Sequence, residues 1–241
     1  MTASFPTPAP AAPTPAAAGR GLTLFDLDGT LIEQDSDHAF GQFMVELGWA
    51  DGDGWRARND AFFADYQAGR LDLAAYVDFT TSAWRHRPDE ALAEVQARFM
   101  REVIGPMMRP AARDLVRAHH DAGDLVAIVT ATNEFVTRPI AQAFGVRDLL
   151  AVELARDPAG RVTGAIRGVP TFQGGKVTRV AQWLAGQGAG WSDFARVTVY
   201  SDSPNDLPLL EQATDPVATN PSPTLEAVAR ARGWRILRLF E

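Results

Sequence analysis

At 241 residues, with 46% hydrophobic and 22% charged side chains, the chain has ordinary globular composition and enough apolar material for one large domain or a core with a smaller insertion. A net charge of −7 without a long basic run argues against nucleic acid or an anionic membrane as partner, yet leaves room for an anionic small molecule beside a metal ion. The absence of cysteine excludes disulfides, thiolate chemistry and Cys-based zinc sites and suits a reducing, cytoplasmic setting, and no apolar run approaches the ~20 residues that span a bilayer.

Residues 1–20 are dominated by Pro and Ala and lack the basic region and continuous apolar stretch of a signal peptide, so they are expected to form a flexible extension. Gly21-Leu22-Thr23-Leu24-Phe25 then reads as a buried strand that ends abruptly in Asp26-Leu27-Asp28-Gly29-Thr30. Residues 37–107 differ in pattern. Their amphipathic runs at 38–47, 55–66, 73–84 and 88–103, punctuated by Gly48, Gly52, Gly54, Gly69 and Pro88, predict a small helical domain inserted after the first strand. Its aromatic residues Trp55, Phe62, Phe63, Phe79 and Trp84 read as the core of that insertion.

Beyond it, Leu125-Val126-Ala127-Ile128-Val129 leads to Thr130, and Val197-Thr198-Val199-Tyr200 leads to Ser201-Asp202, with helical patterns at 111–120 and 177–184. Residues 152–166 have strand–turn–strand character, and 216–219 and 234–237 add candidate edge strands around a helix at 224–231. Alternating strands and helices predict an α/β fold, a doubly wound parallel sheet, with residues 21–36 and 108–241 as its core. Ligands in such sheets bind beyond the carboxyl ends of the strands, where all three polar clusters fall.

The pair Asp26 and Asp28 suits one carboxylate as nucleophile and the other as acid and base, although an Asp- and Gly-rich turn has the same composition. Asp202 and Asp206 could complete a site for Mg²⁺, which takes hard oxygen ligands from one or two carboxylates, water and phosphate. Thr130 and the amide of Ala131 could bind phosphate oxygens, and Lys176, at a helix start in Gly174-Gly175-Lys176, could reach an anion. Each cluster alone is weak. Their order, at the ends of strands of one inferred sheet, is what carries weight, because a metal and a lysine together offset the charge that four carboxylates would turn against phosphate.

In these motifs the sequence resembles the haloacid dehalogenase superfamily, nearest its phosphoserine phosphatase branch with a helical cap. Phe25-Asp26-Leu27-Asp28-Gly29-Thr30-Leu31 is similar to the first motif, Ile128-Val129-Thr130 to the second, Lys176 to the third, and Ser201-Asp202-Ser203-Pro204-Asn205-Asp206 to the fourth. The resemblance implies a Rossmann-like core, a small-molecule phosphate ester as substrate, and Asp26 as the nucleophile that becomes an aspartyl-phosphate. It implies that Asp28 protonates the leaving alkoxide and then activates water. Asp26, Asp202 and the backbone carbonyl of Asp28 would hold Mg²⁺, Asp206 would support the site, and Thr130, Lys176 and Asn205 would grip the phosphate.

The cap departs from the phosphoserine phosphatase pattern. Asp35 stands where those enzymes carry a Glu for the substrate ammonium, and an ungapped hand alignment puts Asp78 where they carry an Arg for the substrate carboxylate. Arg forks onto a carboxylate and Asp repels it, so the pair is expected to favour an amino-alcohol phosphate without a carboxylate, such as histidinol phosphate. In the alternative arrangement Asp78 faces solvent and Arg70 or Arg85 takes the Arg's place, as in a phosphoserine phosphatase. A phosphotransferase, or a non-catalytic module of the same fold, are the competing classes; the second would be expected to have lost a nucleophile, acid or metal residue, and none is missing. His38 is placed near the cap entrance, whereas His86, His119 and His120 read as surface or packing residues.

Overall fold

The computed structural model describes residues 19–241, so the expected extension lies outside the described residues except for Gly19 and Arg20. Strand β1 (Gly21–Phe25) is buried along its whole length and is followed by helices α1 (Ser36–Glu46), α2 (Gly52–Gln67), α3 (Leu73–Ser82) and α4 (Asp89–Phe99). A π-helical turn (Met100–Ile104) and a short α5 (Gly105–Met107) return the chain to the core. There α6 (Pro110–Asp121), β2 (Leu125–Asn133), α7 (Glu134–Ala143) and β3 (Asp148–Val152) follow, then the hairpin β4 (Leu154–Arg156) and β5 (Val162–Ile166). The chain closes with α8 (Gly174–Gly186), β6 (Arg196–Ser201), α9 (Leu207–Leu210), β7 (Asp215–Thr219), α10 (Pro223–Arg232) and β8 (Arg235–Leu237).

Six strands form one parallel sheet in the order β3-β2-β1-β6-β7-β8. Side chains alternate across β1: Leu22 and Leu24 join the apolar layer under α8, α9 and α10, while Phe25 joins the layer shared with α6, α7 and the insertion. The insertion has no separate core. Tyr76, Trp84, Val95 and Phe99 belong to the same apolar cluster as Phe25 and Ile128 of the sheet.

The aromatic residues expected to fill the insertion therefore divide. Trp55 stacks on Phe79 with ring centroids 3.9 Å apart, but Trp84 stacks at 4.1 Å on Phe135 of α7 and fastens the insertion to the sheet layers. α2 begins at Gly52 and runs through Gly54, both read from sequence as breaks, because tertiary packing overrides weak local propensity. α7 and β3 were not anticipated, and the hairpin β4–β5 packs against α3 of the insertion rather than extending the sheet. Among the described residues no helix is long and apolar enough to cross a membrane.

Candidate active site

The carboxyl ends of β1, β2 and β6 deliver the polar clusters to one point. Asp26 follows β1 directly, and its backbone N–H donates to Tyr200 O at 2.9 Å, so the strand ladder runs up to the carboxylate itself. Lys176 lies in the first turn of α8 and is 1% exposed; its Nζ donates to Asp26 Oδ1 at 2.8 Å and to Asp206 Oδ2 at 2.7 Å. Ser201 Oγ adds a 2.8 Å hydrogen bond to the same Asp206 oxygen. Gly175 makes the lysine's placement possible, since a Cβ there would sit 2.0 Å from Pro170 O and push α8 away.

Asp202 approaches from β6. Thr30 Oγ lies 3.3 Å from Asp26 Oδ2 and 3.3 Å from Asp202 Oδ1, so these two carboxylates converge on one hydroxyl. Gly29, at φ +74, allows that approach: a Cβ there would meet Asp202 Oδ2 at 2.5 Å. Asp28 is held from both sides, by Ser36 N at 2.7 Å on Oδ1 and Thr132 Oγ at 2.9 Å on Oδ2. Thr130 and Ala131 line the cavity above Asp26, with the Thr130 carbonyl anchored by Thr171 Oγ at 2.6 Å.

Burial raises the pKa values of these acids, and the charge of neighbouring carboxylates adds to it. Burial pushes Asp26 up against the pull of Lys176. Burial and the Asp35 charge bring Asp28 up to about 7, against its hydrogen bonds from Ser36 and Thr132. Burial likewise lifts Asp206 to about 6 against Lys176, and lifts Asp202 well above the ordinary range with help from Asp26 and Asp206. The charge excess around one lysine, and the Asp26 and Asp202 carboxylates that converge on Thr30, fit a small divalent cation that completes its shell with water and phosphate. Among the described residues no cluster of three or more His, Asp or Glu side chains forms an all-side-chain cage, which a metal that keeps open positions does not need.

Two adjoining cavities rise from this centre. The outer one, about 590 Å³, is lined by Asp28, Glu33, Asp35, His38, Phe63, Tyr66 and Asp202 among others. The inner one, about 20 Å³, lies between Asp26, Asp28, Asp35, Asp37, Thr130 and the side chains Phe62, Phe63, Tyr66 and Tyr76 of the insertion. Among the described residues, no Arg or Lys lines either cavity.

The haloacid dehalogenase-like hydrolase family model matches residues 23–211. The chain belongs to this family. It is 40% identical over 218 residues, 90% of this chain and 98% of the relative, to the histidinol-phosphatase of Neisseria meningitidis serogroup C. It is 29% identical over 222 residues to the phosphoserine phosphatase SerB1 of Mycobacterium tuberculosis, covering 88% of this chain and 68% of that one. A solved structure of a protein of unknown function from Bordetella pertussis Tohama I aligns with a TM-score of 0.86 and 48% identity over 92% of this chain and 100% of its own. A substrate-bound phosphoserine phosphatase aligns with a TM-score of 0.65 at 17% identity over 90% and 92% of the two chains, a likeness of fold.

Within this haloacid dehalogenase-like chain the structure brings Asp26, Asp28, Thr130, Ala131, Lys176, Asp202 and Asp206 together and places Asp35 on the walls of both cavities. Asp35 also works locally, accepting from His38 N at 2.7 Å as the N-cap of α1. Asp78 is a correction. It lines neither cavity; its exposed carboxylate pairs with Arg85 at 2.5 Å beside β5, on another side of α3. Arg85 is thereby turned away from the cavities as well, and Arg70 pairs with Asp65 at 2.8 Å.

Asn205 also reaches the insertion: one N–H of its amide donates at 3.0 Å to Tyr66 O, at the end of α2, and its second N–H is not used by that bond. Phe62 and Phe63, assigned from sequence to a core, stand on cavity walls, and Phe63 stacks at 4.7 Å on His38. Thr132 and Asp37 were missed. Thr132 could have been found, since residues two apart on a strand share a face and Thr130 was already singled out.

Proposed function

We propose that this chain is a Mg²⁺-dependent phosphomonoesterase whose preferred substrate is an amino-alcohol phosphate, with histidinol phosphate the leading candidate. The observation that carries the substrate reading is the lining of the two cavities, which holds Asp28, Glu33, Asp35, Asp37 and Asp202 and, among the described residues, no Arg or Lys, although Glu33 pairs with Arg109 at 2.8 Å. A substrate carboxylate would find no Arg or Lys on these walls, whereas an ammonium group would find Asp35 and Asp37 without a cationic partner among the described residues. The argument for a positively charged substrate thus passes from Asp78 to the cavity wall as a whole. The name of the 40% identical relative supports the same choice.

In the proposed reaction one carboxylate oxygen of Asp26 attacks phosphorus as the ester P–O bond breaks, leaving a phosphoryl group on Asp26. Asp28, with a pKa of about 7, is protonated in a large fraction of molecules at neutral pH and gives its proton to the leaving alkoxide. As a carboxylate it then takes a proton from the water that attacks the phospho-aspartate, which restores both residues and releases phosphate. Lys176 and the Thr130–Ala131 corner neutralise and orient phosphate oxygens. Mg²⁺, held by Asp26, Asp202 and the Asp28 carbonyl, would supply charge neutralisation at the transferring group.

The test is phosphate release from histidinol phosphate, phosphoserine and a panel of other monoesters with Mg²⁺, using Asp26→Asn in parallel. Metal-dependent release that disappears in Asp26→Asn and is fastest with histidinol phosphate is the expected result. Efficient turnover of phosphoserine would overturn the substrate assignment, and product formation only with an added acceptor alcohol would make the enzyme a phosphotransferase.

A further inference from the structure

The inner cavity ends against a carboxylate to which the proposed chemistry gives no task. Asp37, in the first turn of α1, is 5% exposed and shares the cavity wall with Asp35, Phe62, Phe63, Tyr66 and Tyr76. Its Oδ1 accepts from Asn133 Nδ2 at 3.2 Å, and Tyr76 stands beside it on the same cavity wall. The Asn133 amide cannot turn round, because its Oδ1 caps α7 by accepting from Phe135 N at 3.1 Å and Val136 N at 3.2 Å. That donor is neutral. Asp37 forms no ion pair among the described residues, although an isolated carboxylate is among the costliest groups to bury. Asn133, which does not line the cavity, fills one of its roughly four acceptor sites, and this leaves capacity on the side of the cavity.

We propose that Asp37 is a specificity-determining residue that receives a second nitrogen donor of the substrate, the N–H of a flat ring, while Asp35 meets the ammonium. This deepens the phosphatase reading and rests on it. Phe62, Phe63 and Tyr66 supply the aromatic walls that a planar, cationic or N–H-bearing ring packs against, and the imidazole of histidinol phosphate has that chemistry. At about 20 Å³ the inner cavity has room for roughly one water, so the ring enters as α2, which carries all three aromatic residues, moves outward. The class of substrate is then a phosphate monoester with two separate nitrogen donors, and a substrate with the ammonium alone leaves Asp37 without its partner.

Steady-state kinetics of wild type and Asp37→Asn on histidinol phosphate and on ethanolamine phosphate separate the two contacts. Loss of a hydrogen bond to a charged group corresponds to about ten- to hundredfold in affinity. The increase in KM for histidinol phosphate is therefore expected to exceed that for ethanolamine phosphate by about tenfold or more, with the smaller part of the effect in kcat. Tyr76→Phe, which removes the hydroxyl beside Asp37 on the cavity wall without removing the carboxylate, is expected to give a smaller rise with the same substrate bias. Circular dichroism of both variants shows whether they fold. Equal losses on the two substrates in a folded variant, or none on histidinol phosphate, would overturn the role of Asp37 while the phosphatase reading stands. If wild type hydrolyses p-nitrophenyl phosphate but neither amine ester, the substrate reading fails and takes this inference with it.

Discussion

Lys176 keeps two buried carboxylates compatible with folding, and its substitution separates stability from chemistry. Lys176→Met leaves Asp26 and Asp206 without their cation, and breaking a buried pair in this way costs about 3–5 kcal/mol. The expected result is a large fall in the urea midpoint together with loss of phosphate release. Asp26→Asn, which removes one negative charge and keeps the shape, is expected to abolish release at a much smaller cost in stability. Asp37 makes the opposite case. Burial, then Asp35 and Asp28, raise its pKa well above 3.8, so any stability linked to its proton is complete below that value and is lost as pH rises through the raised one. Asp37→Asn has no such loss. Its stability relative to wild type is expected to increase as pH rises above 3.8 in urea titrations, the mark of a carboxylate kept for binding at the expense of the fold.

At the scale of single residues, the centre of the site was legible and its walls were not. Asp26, Asp28, Asp202 and Lys176 announce themselves because each follows or starts an element whose apolar pattern fixes where it ends. Asp78 misled because each step along a helix turns a side chain by about 100°, so a register error of a residue or two selects another face. Asp37 and Asn205 depend on partners 96 and 139 residues away in the chain, and no local pattern encodes such pairings.

Among the elements, the end of α2 carries the main contacts between insertion and catalytic loops. Asn205 Nδ2 donates to Tyr66 O at 3.0 Å, and Gln173 Nε2 donates to Gly69 O at 3.2 Å. Gln173 makes its contact from a backbone at φ 49, ψ −127, a conformation that costs a non-glycine residue about 1–3 kcal/mol. Gln173→Ala and Gln173→Gly both lose the amide, but only the glycine relieves the backbone. The Gly variant is expected to be more stable than the Ala variant by about 1–2 kcal/mol in chemical denaturation, while both release the end of α2 and raise KM alike. The helices of the insertion were readable from their amphipathic runs. Their attachment was not, because Trp84 and the β4–β5 hairpin find partners in α7 and α3 that periodicity alone does not name.

For the molecule as a whole, the balance of charge sets its response to metal. The chain carries −7 overall, and Asp26, Asp28, Asp202 and Asp206 are concentrated at one end of the sheet. A divalent ion bound there only in the folded state stabilises it by about 2.7 kcal/mol at a hundredfold excess over Kd. Mg²⁺ is therefore expected to raise the melting temperature by several degrees, EDTA to reverse the rise, and Asp202→Asn to abolish it. The parallel α/β architecture was legible from the alternation of strands and helices, since few topologies satisfy right-handed crossovers. The joint apolar layer that makes insertion and core one body was not, because faces of separate elements meet only in the fold.

Strand β1 is flanked on one side by β2 and on the other by β6, and its ladder continues to the amide of Asp26. That amide can exchange its hydrogen for deuterium only when the middle of the sheet comes apart, an event close to complete unfolding. The backbone N–H of Asp26 is expected to be among the slowest to exchange, with an opening free energy equal to the global one, while the amides of residues 68–72 exchange far faster. Asp26, the proposed nucleophile, would then stand still through every catalytic cycle, and the motions that admit substrate and release phosphate would belong to α2 and the loop that follows it.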